Sequence, residues 1–338
     1  ISVNYNTNFW SSSNNVCVIE ADEYDRSFLK LSPNIAVITS TDADHLDIYG
    51  THEAVEDAFV QFAERIDASG LLIRKHGIKK LDGALLKRQL TYTLHPASGH
   101  NSCQHHEQHE HDEPDVADMH ADNITNKLGG YSFDVMMHQK LECHITLPIG
   151  GLHNVENTLA AYGVAKALGI SQEKIWAAIA EYKGVKRRFE YIIKKIPQQP
   201  GDSSLVFIDD YAHHPTEITA LLQSAKQMFP TVECTILFQP HLYTRTRDFA
   251  QAFGEALSLA DHVLLMPIYP ARELPIAGVD SNTIAQYIPT HKVQLVDTTD
   301  GLHEHIKTLA PQLFITAGAG NIDTLIESIA HTLKTIHA

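Results

Sequence analysis

Val16-Cys17-Val18-Ile19 runs into Glu20-Ala21-Asp22-Glu23-Tyr24-Asp25, and Ile35-Ala36-Val37-Ile38-Thr39 runs into Asp42-Ala43-Asp44-His45-Leu46-Asp47. Both stretches share one pattern, a short apolar run rich in β-branched residues that ends in carboxylates. Such runs read as strands of a parallel sheet. In open α/β sheets, ligands sit outside the carboxyl ends of the strands, so both clusters fall where a divalent metal and a nucleotide phosphate would be held. Read alone, acidic residues after a strand serve equally well as helix N-caps. No G-x-x-x-x-G-K-[ST] loop occurs in these 338 residues, so the phosphate cradle that such clusters would serve lies outside this stretch.

Outward from there the pattern alternates. Glu53–Arg65 has helical spacing, Leu71-Leu72-Ile73 reads as a strand, and Ile78–Leu90 as another helix. Strand–helix alternation predicts a parallel sheet. Gly130–Val135 and Leu141–Leu147 read as a hairpin, and Asn157–Leu168 as a helix. A further helix runs from Ser171 to about Tyr182, and Gly184–Arg188 is a domain junction. Strands are then expected at Leu205–Ile208, Cys234–Phe238, His262–Met266, Lys292–Val296 and Leu313–Thr316. Helices at Pro215–Met228, Thr246–Leu259 and Ser281–Ile288 separate them, a doubly wound α/β order. Two domains are the expectation, 1–184 and 185–338.

The segment 95–122 breaks this rhythm. His95, His100, His105, His106, His109, His111 and His120 alternate with carboxylates and few apolar residues. It reads as a solvated insertion at about 95–120. A second reading is zinc or nickel capture by His105 or His106 with His109.

A net charge of −15 argues against nucleic-acid and polybasic membrane partners. No apolar run approaches the ~20 residues of a membrane span. The four cysteines are scattered, so no disulfide framework is implied and a cytoplasmic location fits. The chain opens on Ile1 rather than Met, which reads as a fragment. Self-association stays open.

Several constellations carry chemistry. Glu20 and His45 could ligate Mg²⁺, which is satisfied by one or two carboxylates plus phosphates, or Mn²⁺, which tolerates imidazole. In Gly150-Gly151-Leu152-His153-Asn154-Val155-Glu156-Asn157, glycines lead into a helix whose amides suit a purine edge, or simply cap it. Lys186-Arg187-Arg188-Phe189-Glu190 offers guanidiniums to phosphate. Ile208-Asp209-Asp210-Tyr211-Ala212-His213-His214-Pro215 delivers carboxylates, a phenol and imidazoles at a strand end. Gln239-Pro240-His241-Leu242-Tyr243-Thr244-Arg245-Thr246-Arg247 brings arginines that could hold a carboxylate. Thr316-Ala317-Gly318-Ala319-Gly320-Asn321 is a glycine turn that suits an anion or close packing equally.

Taken in order, these motifs resemble the Mur ligases over nearly the whole chain outside the His-rich insertion. The resemblance implies the later part of a central ATPase domain, without its P-loop, followed by a C-terminal Rossmann-like domain that binds an amino acid. It also implies an ATP-dependent amide ligase of peptidoglycan precursor synthesis, joining L-alanine to UDP-N-acetylmuramate through an acyl phosphate with Mg²⁺ or Mn²⁺. On that resemblance Glu20 and His45 hold the metal and act in catalysis, and His153, Asn154 and Asn157 meet adenine. Arg188 reaches the ATP phosphates as a catalytic residue, and Asp209 or Asp210 meets ribose. Tyr211, His213, His241 and Arg245 form the amino-acid pocket, with His213 also catalytic.

Leu242 departs from the family pattern, where an arginine is frequent, and either Arg247 supplies that charge or the pocket is less basic. Without the P-loop the chain is expected to bind ATP weakly and not to catalyse the whole reaction. Alternatives are a recycling ligase adding a tripeptide, a folate-type glutamate ligase, or a non-catalytic metal- or nucleotide-binding protein.

Overall fold

Ile35–Ile38 forms the first strand, β1, of a six-stranded sheet, and its parallel partner is β2 (Leu71–Lys75). The computed structural model describes residues 1–42, 46–82, 88–94, 116–127, 129–196 and 204–338, with 46 and 47 described by their backbone only. His45 and most of the His-rich insertion, 95–115, lie outside the described residues.

The first sheet continues through β3 (Arg88–Thr93), β4 (Met119–Asn126), β5 (Tyr131–Met137) and β6 (Lys140–Leu147), in that order. β1 to β4 are parallel, while β4, β5 and β6 form an antiparallel meander. Between β1 and β2 run α1 (Leu46–Tyr49) and α2 (His52–Glu64). Thr51 caps α2 by accepting the Ala54 amide, and its Val55, Ala58 and Phe62 are buried at helical spacing. After β6 come α3 (Leu152–Ala167) and α4 (Gln172–Ala180).

The second sheet has the order β11-β10-β9-β12-β8-β7, made from β7 (Glu190–Lys195), β8 (Leu205–Asp210), β9 (Cys234–Phe238), β10 (His262–Leu265), β11 (Val293–Leu295) and β12 (Leu313–Ala317). All pair in parallel except β7 on β8. Its helices are α5 (Pro215–Met228), α6 (Tyr243–Asp248), α7 (Ala250–Leu257), α8 (Asn282–Ala285), α9 (Thr299–Leu309) and α10 (Ile326–Ile336). β8, β9 and β12 are buried along their whole length, which is why each is predominantly apolar, broken only by Thr235, Thr316 and the Asp209-Asp210 pair that ends β8.

Four expectations are corrected. Val16–Ile19 has no regular secondary structure and pairs with no strand among the described residues, and Val18 and Ile19 are 87% and 61% exposed. An apolar run becomes a strand only where a neighbour takes its amides, and β1 is not that neighbour. Ile78–Leu90 is not a helix: Lys79–Leu81 makes a single 3₁₀ turn and β3 begins at Arg88. The last part of the His-rich segment is not solvated loop, because β4 starts at Met119 and buries both it and His120. Thr246–Leu259 breaks at Phe249, whose φ of −116° and ψ of 18° separate α6 from α7.

The halves touch directly. Phe189 packs against Gly150, leaving no room there for a side chain. The Tyr191 hydroxyl donates to Gly129 O at 2.8 Å, and Asn126 Nδ2 donates to Met228 O at 2.7 Å.

Candidate active site

The strap 185–190 carries the arginines between the two sheets, and β8 pins it. Asp210 Oδ2 accepts the Phe189 amide at 2.7 Å and Oδ1 the Ala212 amide at 2.8 Å. Asp209, fully buried, accepts the Thr316 hydroxyl at 2.6 Å and lies 3.3 Å from Arg187 Nε. Burial pushes the Asp209 carboxyl up to about 6, against the pull of Thr316 and Arg187. Burial likewise raises Asp210. Arg187 also donates to Gly318 O. Arg187 and Phe189 take φ values of 58° and 50°, the left-handed region that bulky residues avoid, and these anchors hold them there.

With the strap fixed, several of the predicted residues fall along one track, from His153 through Arg188, Tyr211 and His213 to His241. His153 opens it in the first turn of α3. Its ring lies over Gly151, whose φ of 85° turns the chain into the helix and leaves that space free. Asn154 Nδ2 donates back to Gly150 O at 2.7 Å, so this amide caps the turn in the present arrangement, while Asn157 is exposed. Desolvation, and then the charge of Arg188, hold His153 below the usual imidazole range. The Arg187 and Arg188 guanidiniums lie 5.0 and 5.8 Å from the Tyr211 ring centre. Tyr211 meets His213 edge-on at 5.2 Å, and His213 meets His241 at 6.1 Å.

His213 is steadied from its own helix. Its Nδ1 lies 2.9 Å from Tyr211 O and 3.4 Å from Glu217. Glu217 also accepts the amides of His213 and His214, closing the first turn of α5 behind Pro215. Among the described residues, His241 Nδ1 and Arg245 Nη1 are buried without a hydrogen-bond partner. Burial, then Arg245 and His213, keep His241 below its ordinary pKa, so the pocket offers one permanent cation beside a neutral imidazole. Arg247 does not replace the charge absent at Leu242, since its Nε pairs with Asp248 at 2.7 Å at the surface.

Glu20 stands apart. It lies in the exposed segment 15–21, and no hydrogen bond or ion pair among the described residues ties it to the track. Between that segment and β1 runs a slot of about 590 Å³, floored by Phe62 of α2 and by Val164 and Leu168 of α3. The donor chemistry fits a hard cation, since an exposed carboxylate can join phosphate oxygens and waters around Mg²⁺. Among the described residues no cluster of three or more His, Cys, Asp or Glu side chains forms a ready metal cage.

The sequence reading missed Tyr269 and Glu273, and quoted Gln239 in its motif without a role. Tyr269 stacks on His241 at 5.8 Å. Gln239 bonds Asn321 Oδ1 and the Ile322 amide at 2.9 and 3.0 Å, filling the glycine turn from within the protein. Tyr269-Pro270-Ala271-Arg272-Glu273 follows the expected strand at His262–Met266, but nothing in the residues themselves separates a bracing carboxylate there from a solvated one.

Comparison with known proteins follows the same two halves. The Mur ligase middle domain matches residues 2–165, and the Mur ligase glutamate ligase domain matches 187–320. The chain belongs to the Mur ligase family. Within it, this chain is similar to the UDP-N-acetylmuramate–L-alanine ligase of Cytophaga hutchinsonii, 39% identical over 97% of this chain and 66% of that protein. The enzyme of that name from Phocaeicola vulgatus is 39% identical over 99% of this chain and 68% of its own length. The chain thus spans about two thirds of the length of these curated relatives. In fold it is similar to UDP-N-acetylmuramate-alanine ligase from Thermotoga maritima, with a TM-score of 0.69 and 23% identity, covering 93% of this chain and 63% of that one. It is also similar to the MurF ligase of Thermotoga maritima solved in complex with ADP, with a TM-score of 0.61 and 15% identity, covering 92% and 64%.

Proposed function

We propose that this chain forms the larger part of an ATP-dependent ligase that joins L-alanine to UDP-N-acetylmuramate. The supporting observation is the near-complete match to relatives bearing that name, together with a track that links the start of α3 to a cationic pocket on the second sheet. In this reading 1–184 is the later part of an ATP-binding domain and 185–338 receives the amino acid, in the cytoplasm.

ATP transfers its γ-phosphoryl group to the lactyl carboxylate, giving an acyl phosphate and ADP. The alanine amine attacks the acyl carbon, and the tetrahedral intermediate collapses to the amide and phosphate while the amine loses its protons. Arg188, propped on Tyr211, meets phosphate charge that grows and moves during both steps. His153, Asn154 and Asn157 present donors and acceptors to the adenine edge. Asp210, 9% exposed, has surface left for a ribose hydroxyl, whereas Asp209 is sealed and serves the strap. Arg245 and His241 take the alanine carboxylate on their free buried nitrogens. Tyr211 and His213 line the path between phosphate and amine, and His213 attends the intermediate. Glu20, with His45, would hold Mg²⁺ or Mn²⁺, which when bound neutralises phosphate charge.

Protein expressed from the full natural reading frame should release phosphate only when UDP-N-acetylmuramate, ATP, Mg²⁺ and L-alanine are all present. Phosphate release without alanine dependence, or preference for a tripeptide at equal concentration, overturns the assignment. The 338-residue chain alone carries no P-loop, and calorimetry should find no micromolar ATP binding.

A further inference from the structure

The loop that follows β10, 266–276, grips the pocket from a neighbouring strand end. Tyr269 N donates to Pro240 O at 2.8 Å and Leu242 N donates to Tyr269 O at 3.0 Å, a two-way backbone tie. The Tyr269 ring stacks on His241 at an interplanar angle of 15°. Glu273 then reaches across to α6: Oε2 accepts the Thr244 amide at 3.0 Å, and Oε1 accepts the Thr244 hydroxyl. Those bonds, and a further one from the Tyr243 amide, hold the Glu273 carboxyl below the usual carboxylate range.

α6 needs such help. It has six residues, starts from Leu242 at a φ of 71°, and has no side-chain cap of its own. A single short turn does not stand alone in water, and its leading amides lack partners within the helix. Thr244 immediately precedes Arg245, whose buried Nη1 has no hydrogen-bond partner among the described residues. The direction of that guanidinium therefore depends on how well the first turn of α6 is closed.

We propose that Glu273 is a positioning residue for the amino-acid pocket: it closes the first turn of α6 from another strand's loop, so that Arg245 and His241 present one fixed geometry to the acceptor's carboxylate. The identity of the ligand rests on the ligase reading above; the brace itself does not. Two-point recognition of a planar carboxylate is sensitive to small misplacements. Loss of the brace should therefore weaken capture of the amino acid and leave the nucleotide unaffected, since Glu273 bonds Thr244 and does not touch the proposed nucleotide contacts at α3, Arg188 and Asp210.

The test compares Glu273→Ala and Glu273→Gln in the full natural protein. Two readouts are needed: hydrogen exchange of the Thr244 and Arg245 amides, and the separate KM values for amino acid and ATP. Glu273→Ala should speed Thr244 exchange and raise the amino-acid KM by about tenfold each, with the ATP KM within about twofold. Glu273→Gln keeps an acceptor for the Thr244 amide and should restore most of both. Unchanged exchange and unchanged amino-acid KM in Glu273→Ala overturn the proposal, as does a glutamine variant whose Thr244 exchanges as fast as in the alanine variant. If the unaltered protein ligates nothing, the ligase reading fails, while the exchange comparison still decides the brace.

Discussion

The two sheets present their strand ends in opposite ways. On the second sheet the ends of β8, β9, β10 and β12 are cross-tied: Asp209 to Thr316 and Arg187, Asp210 to the strap, Gln239 to the glycine turn, Glu273 to α6. On the first sheet, β1 is an edge strand facing an open slot, and the apolar side chains of Val16, Val18 and Ile19 stand in solvent. The difference lies in what each site needs from its own chain. In the proposed reading, a pocket for a small amino acid is completed by side chains from neighbouring strand ends. A phosphate site needs backbone amides of a glycine-rich loop, and no G-x-x-x-x-G-K-[ST] loop occurs in these residues.

The contrast is broken or sharpened most strongly by truncating one residue in each region. Phe314→Ala, at the centre of the second sheet and fully buried, should cost about 3–5 kcal/mol. Val18→Ala should cost no more than about 0.5 kcal/mol. Urea unfolding followed by circular dichroism measures both, and a comparable loss for Val18→Ala would show that the slot is filled in solution. Next, Arg187→Ala leaves the sealed Asp209 without its cation and should cost about 2–4 kcal/mol by the same assay.

A smaller effect follows from the charge of Asp209. Burial raises its pKa from 3.8 to about 6, so between those values the folded state holds a proton that the unfolded state has lost. Stability from this group is therefore present at low pH and lost as pH rises through about 6. Asp209→Asn should flatten the change in stability between about pH 4.5 and 7.5 by roughly 2 kcal/mol. Equal slopes in the two proteins would mean that Asp209 is hydrated. The smallest expected change is Glu20→Gln, which should shift the urea midpoint by less than the equivalent of about 0.5 kcal/mol. A large loss there would reveal partners for Glu20 in solution.

Legibility in the sequence followed the same divide. Cys234–Phe238 and Pro215–Met228 are located to the residue, because an apolar run sealed on both faces and a proline-started amphipathic helix carry their own boundaries. Val16–Ile19 misleads because its composition is that of a strand while its pairing depends on a neighbour. β3 and β4 hide because one reads with helical spacing and the other emerges from a polar segment. In the site, Tyr211, His213, His241 and Arg245 are visible as dense polar chemistry after apolar runs. Glu273 was not, since a single carboxylate in a loop looks the same whether it is solvated or bracing a helix.

The residues alone determined the family, the α/β rhythm, and which side chains have the chemistry to meet phosphate, adenine and a carboxylate, because those depend on local pattern and residue type. Only the tertiary structure decided which of them meet. It set Arg188, Tyr211, His213 and His241 in sequence, buried both Asp209 and Asp210, and left Glu20 beside an open strand edge. Such outcomes depend on burial and on distances between segments far apart in the chain, which no local pattern encodes.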